Sequence, residues 1–194
     1  MAPLTRDNLL TLEAYAKIRK SSKPEAIAHR KLRSVGLGEH MTLQFEDEKT
    51  IRRQIQEMLH IEKIFDEEGI LSEIEAYAPL IPDGTNWKAT LLVEFPDAGE
   101  RRIALASLKG VEDRCWVQVS GHERVFAIAD EDLERENDEK TSSVHFLRFE
   151  LTPQMIASFR GGAAVAVGID HPNYTSRIDE LAPEVQAALA RDFA

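Results

Sequence analysis

From Lys88 to His171 six β-rich runs follow one another so closely that turns, not long crossovers, must join most of them. They read KATLLVEF, RRIALASL, RCWVQVS, ERVFAIAD, SVHFLRFEL and AAVAVGIDH, separated by turn signals such as Pro96-Asp97-Ala98-Gly99 and Ser120-Gly121-His122. Parallel neighbours need a crossover of about a dozen residues or more, so this spacing favours an antiparallel meander or a partial barrel. The text before Lys88 is of another kind. Residues 5–20 have helical periodicity at Leu9, Leu12 and Ala16 behind a Thr5 N-cap, and a second short helix is expected around Pro24. HMTLQFE alternates as a short strand. A helix opening at Asp47 or Thr50 is expected to run to about Phe65. Gly69 would break it before another short helix, and Pro79 and Pro82 form a turn-rich bridge. A last helix follows Pro183. The expected fold class is α+β: a mainly helical part over residues 1–82, packed on an antiparallel β part with a C-terminal helix over 83–194, together one compact domain.

The 194 residues, 43% of them apolar, can bury one sizeable core. A net charge of −10 argues against a nucleic-acid or anionic-membrane role. The charge is uneven: Lys17, Arg19, Lys20, Lys23, Arg30, Lys31 and Arg33 face a single acid, Glu25, in that segment. This is either a solvated helical face or a docking patch for an acidic partner or a phosphate group. The acidic run from Asp130 to Asp138 reads as a solvated connection. Cys115 is the only cysteine, which excludes an intrachain disulfide and an all-cysteine metal site. The N-terminus has no uninterrupted apolar core, and no stretch approaches the roughly 20 apolar residues of a membrane helix. A reducing, cytoplasmic setting is the expectation.

Candidate chemistry begins in IQEMLHIEKIFDEEGI, residues 55–70, where Glu57-x-x-His60 has the one-turn spacing of carboxylate-bridged metal helices. On a wheel of about 100° per residue, Ile51, Ile55, Met58, Leu59 and Phe65 form one apolar stripe. His60 falls opposite this stripe and Glu57 on its shoulder. Glu62 falls within it, roughly 20° from Ile51. An inward carboxylate must be paired, protonated or ligating. Glu62 is therefore either a partner of Arg30 or Arg33, or a ligand. No second Glu-x-x-His exists to complete a di-iron site within one chain, although a two-fold assembly could supply one.

The strands offer a second constellation. If SVHFLRFEL and AAVAVGIDH pair, a register centred near Ser158 sets His145 opposite His171. Two convergent imidazoles would form the nucleus of a metal or haem site. Separate histidines with ordinary hydrogen bonds are the alternative. Gly36-Leu37-Gly38 lacks the rest of a dinucleotide fingerprint, and Arg160-Gly161-Gly162 reads as a helix stop. His122 is expected in an exposed turn, and Cys115 as a packed thiol.

The phrases QIQEML and LIPDG, with VHFLRFEL and GIDHPNY, carry a resemblance over essentially the whole chain to the bacterial domain-of-unknown-function 3501 family. No catalytic residues come with it. It implies a setting beside rubrerythrin-like di-iron proteins and iron–sulfur oxidoreductases, hence a peroxide or redox role with iron or haem. Two expectations result. One is a redox-associated metal- or haem-binding protein using His145 and His171 with Glu62 or Glu57. The other is a non-catalytic subunit that docks on an oxidoreductase through its basic segment.

Overall fold

Strand β3 (Asn86–Val93) lies at the centre of the first sheet, and its alternation sets both faces. Trp87, Ala89, Leu91 and Val93 point inward and are at most 3% exposed, while Lys88 and Leu92 point outward. The computed structural model describes residues 4–193. In chain order it contains α1 (Leu12–Lys31), β1 (Ser34–Gly36), β2 (Met41–Phe45), α2 (Glu48–Glu62), α3 (Glu67–Tyr77), β3 and α4 (Ala98–Ser107). There follow β4 (Cys115–Val119), β5 (Val125–Phe126), β6 (Ile128–Ala129), β7 (Val144–Glu150), α5 (Pro153–Arg160), β8 (Val165–His171), β9 (Tyr174–Ile178) and α6 (Pro183–Leu189).

All strand pairs are antiparallel, in two sheets of order β1-β2-β3-β7-β6 and β5-β4-β8-β9. The chain passes from one sheet to the other between β5 and β6. Only Ala127 separates them, and its N–H donates to Cys115 O at 2.9 Å. At the opposite margin Tyr174 bridges from β9 to the turn after β1: its hydroxyl donates to Leu37 O and accepts from the His40 N–H. Gly38 is required there, because its φ is +74° and a Cβ would lie 2.4 Å from the Tyr174 hydroxyl. The result is a partial barrel, not fully closed.

The inward faces of both sheets share one core, closed at one end by Phe159, Leu189 and Phe193 packed with Trp87. The indole N–H of Trp87 donates to Leu189 O. A smaller apolar cluster joins Leu9 to Ile51, Ile55, Leu59, Ile70 and Ile74 of α2 and α3. The α+β class therefore holds: N-terminal helices on an antiparallel sheet, and a C-terminal helix. β1 and β2 lie within residues 1–82 yet pair in the same sheet as β3. No described helix is long and apolar enough to cross a membrane.

Several local expectations change. RRIALASL is not a strand but the body of α4. Asp97 caps it by accepting the Glu100 N–H, and Leu105 and Leu108, one turn apart, point into the core while Ile103 is exposed. α1 is one helix, opened by Thr11 and continuous through Pro24, whereas Thr5 caps only a single 3₁₀ turn over Arg6–Asn8. α2 stops at Glu62, where Lys63 takes the left-handed conformation at φ 57°. Phe65 lies beyond the helix and is 80% exposed. Gly69 does not break a helix. It sits in the first turn of α3, donating its N–H to the capping Asp66. The polar edge strands β1 and β9 carry too few apolar residues to stand out in the text.

The His145–His171 register does not form. β7 pairs with β3 and β6, and β8 pairs with β4 and β9. The eight-residue helix α5 carries the chain across to the other sheet.

Arg33 binds the first and last segments of the chain together. It is 1% exposed, and its guanidinium donates to Phe45 O, Glu46 O and Ala188 O and to the carboxylate of Asp192, itself 3% exposed. Removing one partner of a buried pair leaves the other charge uncompensated. Arg33→Ala should cost about 3–5 kcal/mol in denaturant unfolding. Arg33→Lys should recover only part, because one ammonium cannot reach three carbonyls and a carboxylate.

Candidate metal centre

His145 occupies an inward position on β7, between outward Val144 and Phe146, and is fully buried. Three connecting segments close around its ring. Asp130 follows β6 directly, in the left-handed region at φ +49°. Its N–H donates to Phe146 O and its Oδ1 accepts the Phe146 N–H, so the residue is held on the β7 backbone. Oδ2 lies 2.6 Å from His145 Nδ1. Arg135, from the same connection, forms an ion pair with Asp130 at 3.1 Å and stacks over the Phe146 ring.

The other ring edge faces the turn after α4 and the segment before β7. His145 Nε2 has Thr141 Oγ1 at 3.1 Å, Ser142 O at 3.1 Å and Glu112 Oε2 at 3.8 Å. Glu112 is 7% exposed. Burial pushes its carboxyl above the usual range, Glu136 and Asp113 add to this, and its own backbone hydrogen bond and His145 pull the other way. One ligand atom from each of Glu112, Asp130 and His145 can be chosen so that all lie within 4.8 Å of one another.

The chemistry follows from the lone pairs. A neutral imidazole that donates Nδ1–H to Asp130 presents a bare Nε2 lone pair. The Thr141 hydroxyl has one hydrogen and can serve either Nε2 or Glu112, while Ser142 O only accepts. An edge crowded by oxygens in this way is stabilised by a metal ion placed between them. Asp130 would then be the carboxylate that orients a metal-bound histidine through its far nitrogen.

The sequence-derived site residues have separate fates. His145 is in the cluster. His171 is buried elsewhere with both nitrogens engaged: Nε2 donates to Lys109 O at 3.0 Å and Nδ1 accepts the Asn173 N–H at 3.1 Å. Glu57 lies on the α1–α2 interface, held bidentately by Arg19 at 2.7 and 3.0 Å and accepting from the Tyr15 hydroxyl at 2.5 Å. Hydrogen bonding from Arg19 brings its carboxyl down to about 2, against the effect of burial, while burial and Glu57 push Tyr15 up to about 12. Glu62 is exposed at the end of α2, past the last turn that packs, so its place on the projected stripe buries nothing. Neither Arg30 nor Arg33 pairs with it; Arg30 binds Gln44 and Arg33 binds Asp192.

His122 is half-buried rather than exposed, with Nε2 2.8 Å from Ser158 Oγ. Cys115 is a packed thiol, donating to Val111 O at 3.5 Å. Asp130 and Glu112 were not singled out in the sequence. Asp130 had one signal, as the member of the acidic run that directly ends a β-rich segment; Glu112, in an ordinary polar turn, had none.

A family model described as a protein of unknown function, DUF3501, matches residues 3–193. The chain is also similar to a solved protein of unknown function from Burkholderia pseudomallei K96243: the two are 55% identical, each is covered over 100% of its length, and the TM-score is 0.95. No curated protein matches the chain.

Two measurements check these assignments. The Glu57 carboxyl is depressed in the folded state, so its contribution is present above its ordinary value of 4.5 and is lost as pH falls toward about 2. Glu57→Gln should therefore cost about 1–2 kcal/mol at neutral pH and flatten the acid limb of the stability curve between those values. Burial pushes the Cys115 thiol far up, so a thiol-specific chromogenic reagent should react with it in denaturant and not in the native protein.

Proposed function

We propose that this chain, which belongs to the DUF3501 family, is a metal-binding protein whose centre is built on His145, Glu112 and Asp130. The observation that carries this reading is the oxygen-crowded Nε2 edge of a fully buried histidine whose Nδ1 is already held by a carboxylate. One imidazole with carboxylate, hydroxyl and carbonyl oxygens suits a divalent ion of hard or borderline character, such as Fe²⁺, Mn²⁺ or Zn²⁺. In this reading His145 Nε2 and Glu112 hold the ion, Thr141 Oγ1 and Ser142 O complete its surroundings, and Asp130 orients the ring. This donor set favours a bare ion over haem, which would need a broad apolar slot beside its axial ligand. The redox and peroxide setting implied by the family resemblance makes iron the first ion to test.

The test is metal analysis of protein purified without chelators, followed by anaerobic calorimetric titration with Fe²⁺, Mn²⁺ and Zn²⁺. About one ion per chain is expected. Glu112→Gln and His145→Asn should abolish binding, and Asp130→Asn should weaken it by about 10–100-fold. Affinity should rise with pH through the raised titration of Glu112, because the ligating carboxyl must lose its proton. A folded protein that neither retains nor binds any of these ions would leave a buried hydrogen-bonded cluster around His145 as the reading.

A second reading, a subunit that docks on an acidic oxidoreductase such as a rubrerythrin-like or iron–sulfur protein, is favoured by Lys17 and Lys20. Both are exposed on α1 and neither forms a salt bridge among the described residues. Arg19 belongs to Glu57, so the informative reversal is Lys17→Glu with Lys20→Glu. Association that survives this double change would count against docking through α1.

A further inference from the structure

On the far side of β7 from His145, the helices α1 and α2 stand over the outer face of the first sheet and enclose a groove of about 710 Å³. Its floor is apolar: Leu92 on β3, with Val144 and Phe146 on β7. Ile18 and Ile27 of α1 line it while remaining 44% and 58% exposed. Isoleucines left open to solvent beside an apolar sheet face mark a surface that another apolar body can cover. The volume lies within the roughly 300–1,000 Å³ of small-molecule sites.

The charges on the lining are of two kinds. Lys49, Arg52 and Arg53 are each matched to a carboxylate, on Glu25, Glu48 and Glu57 respectively. Arg30 and Lys23 are matched to none among the described residues. Arg30 is also positioned. Its Nε donates to Gln44 Oε1 at 3.1 Å, and Gln44, 2% exposed, is itself held by the Ser34 hydroxyl and by the carbonyls of Arg33 and Phe45. A buried amide thus anchors the guanidinium by one nitrogen, while neither Nη meets an acceptor among the described residues. Those two amines are available to a planar or tetrahedral anion. The lining carboxylate of Glu46 takes the Thr90 and Thr50 hydroxyls at 2.8 and 2.5 Å and forms no ion pair with Arg30.

We propose that this groove binds an amphipathic organic anion, with its carboxylate or phosphate head on Arg30 and Lys23 and its acyl chain over Leu92, Val144 and Phe146. The site is separate from the metal centre and does not depend on it. Apolar burial supplies the affinity, and the anchored arginine selects the sign of the head.

The full chain is titrated with 8-anilinonaphthalene-1-sulfonate, an aryl body with an anionic head. Dodecanoate, dodecyl phosphate and dodecyltrimethylammonium then compete, each below its micelle concentration. Saturable, blue-shifted emission from one site is expected. Either anion, but not the ammonium, should displace the dye, and the stronger of the two identifies the head as carboxylate or phosphate. Arg30→Glu, checked for native near-ultraviolet circular dichroism, should weaken dye and anion by about tenfold or more. Val144→Trp, checked for native near-ultraviolet circular dichroism, should fill the floor and abolish binding. No saturable binding, equal displacement by the ammonium, or affinities unchanged in both variants would overturn the proposal.

Discussion

The guanidinium of Arg33 holds the last segment of the chain to the ends of α1 and β2. Three backbone carbonyls, from Phe45, Glu46 and Ala188, and the Asp192 carboxylate converge on one planar cation that solvent does not reach. An arginine can satisfy such a set because its five donors are fixed in a plane. The consequence runs outward along the chain. The end of α1 is fixed to the end of β2, so the turn just before Arg33 places Arg30 over Gln44, and the helix must cross the outer face of the sheet. Ala188 and Asp192 bring the C-terminal segment in as well, where Leu189 and Phe193 close the core over Trp87. The groove and the sealed barrel end are thus two outcomes of one buried cation.

β7 shows how a period of two can serve two purposes. His145, Leu147 and Phe149 face the interior; Val144 and Phe146 form the floor of the groove. Arg135 spans the boundary, pairing with Asp130 on the His145 side while its guanidinium covers the ring of Phe146. Asp130 does the same through the backbone, since both its own N–H and its Oδ1 are bonded to Phe146. The acidic connection is therefore not only solvated surface. Its first residue is a structural part of the buried cluster, and its arginine is shared between that residue at 3.1 Å and Asp132 at 2.6 Å.

Much of this architecture was legible. β2, β3, β4, β7 and β8 follow their alternating apolar residues, and Asp47 and Pro183 mark the helix starts they were expected to mark. What failed has physical causes. RRIALASL satisfies a strand and a helix almost equally, and the capping Asp97 just before it reads as part of a turn. Glu62 lies on the inward side of a helical wheel, but a wheel has no length, and the helix ends where nothing packs against it. The spacing of Glu57 to His60 suggests a ligand pair, whereas a cation 38 residues away in the chain holds it. Of the site, only His145 could be reached from the text. Its partners come from turns whose approach depends on sheet order, and sheet order was not encoded in any local run.

The failed pairing of His145 with His171 still bears on the cluster. His171 donates to Lys109 O, which lies in the same turn as Glu112, and Asn173 reaches back to Ser107 O at 2.7 Å. The turn is held from its other side by Gly110, which at φ +76° offers its N–H to Glu136 at 2.7 Å. Glu112 is a carboxylate on a connection, and such a residue can present a fixed oxygen only if its backbone is fixed first. The second sheet does this through His171, and the acidic connection through Glu136. The two histidines thus flank Glu112 from different sheets, one beside its carboxyl group and the other on the backbone of its turn.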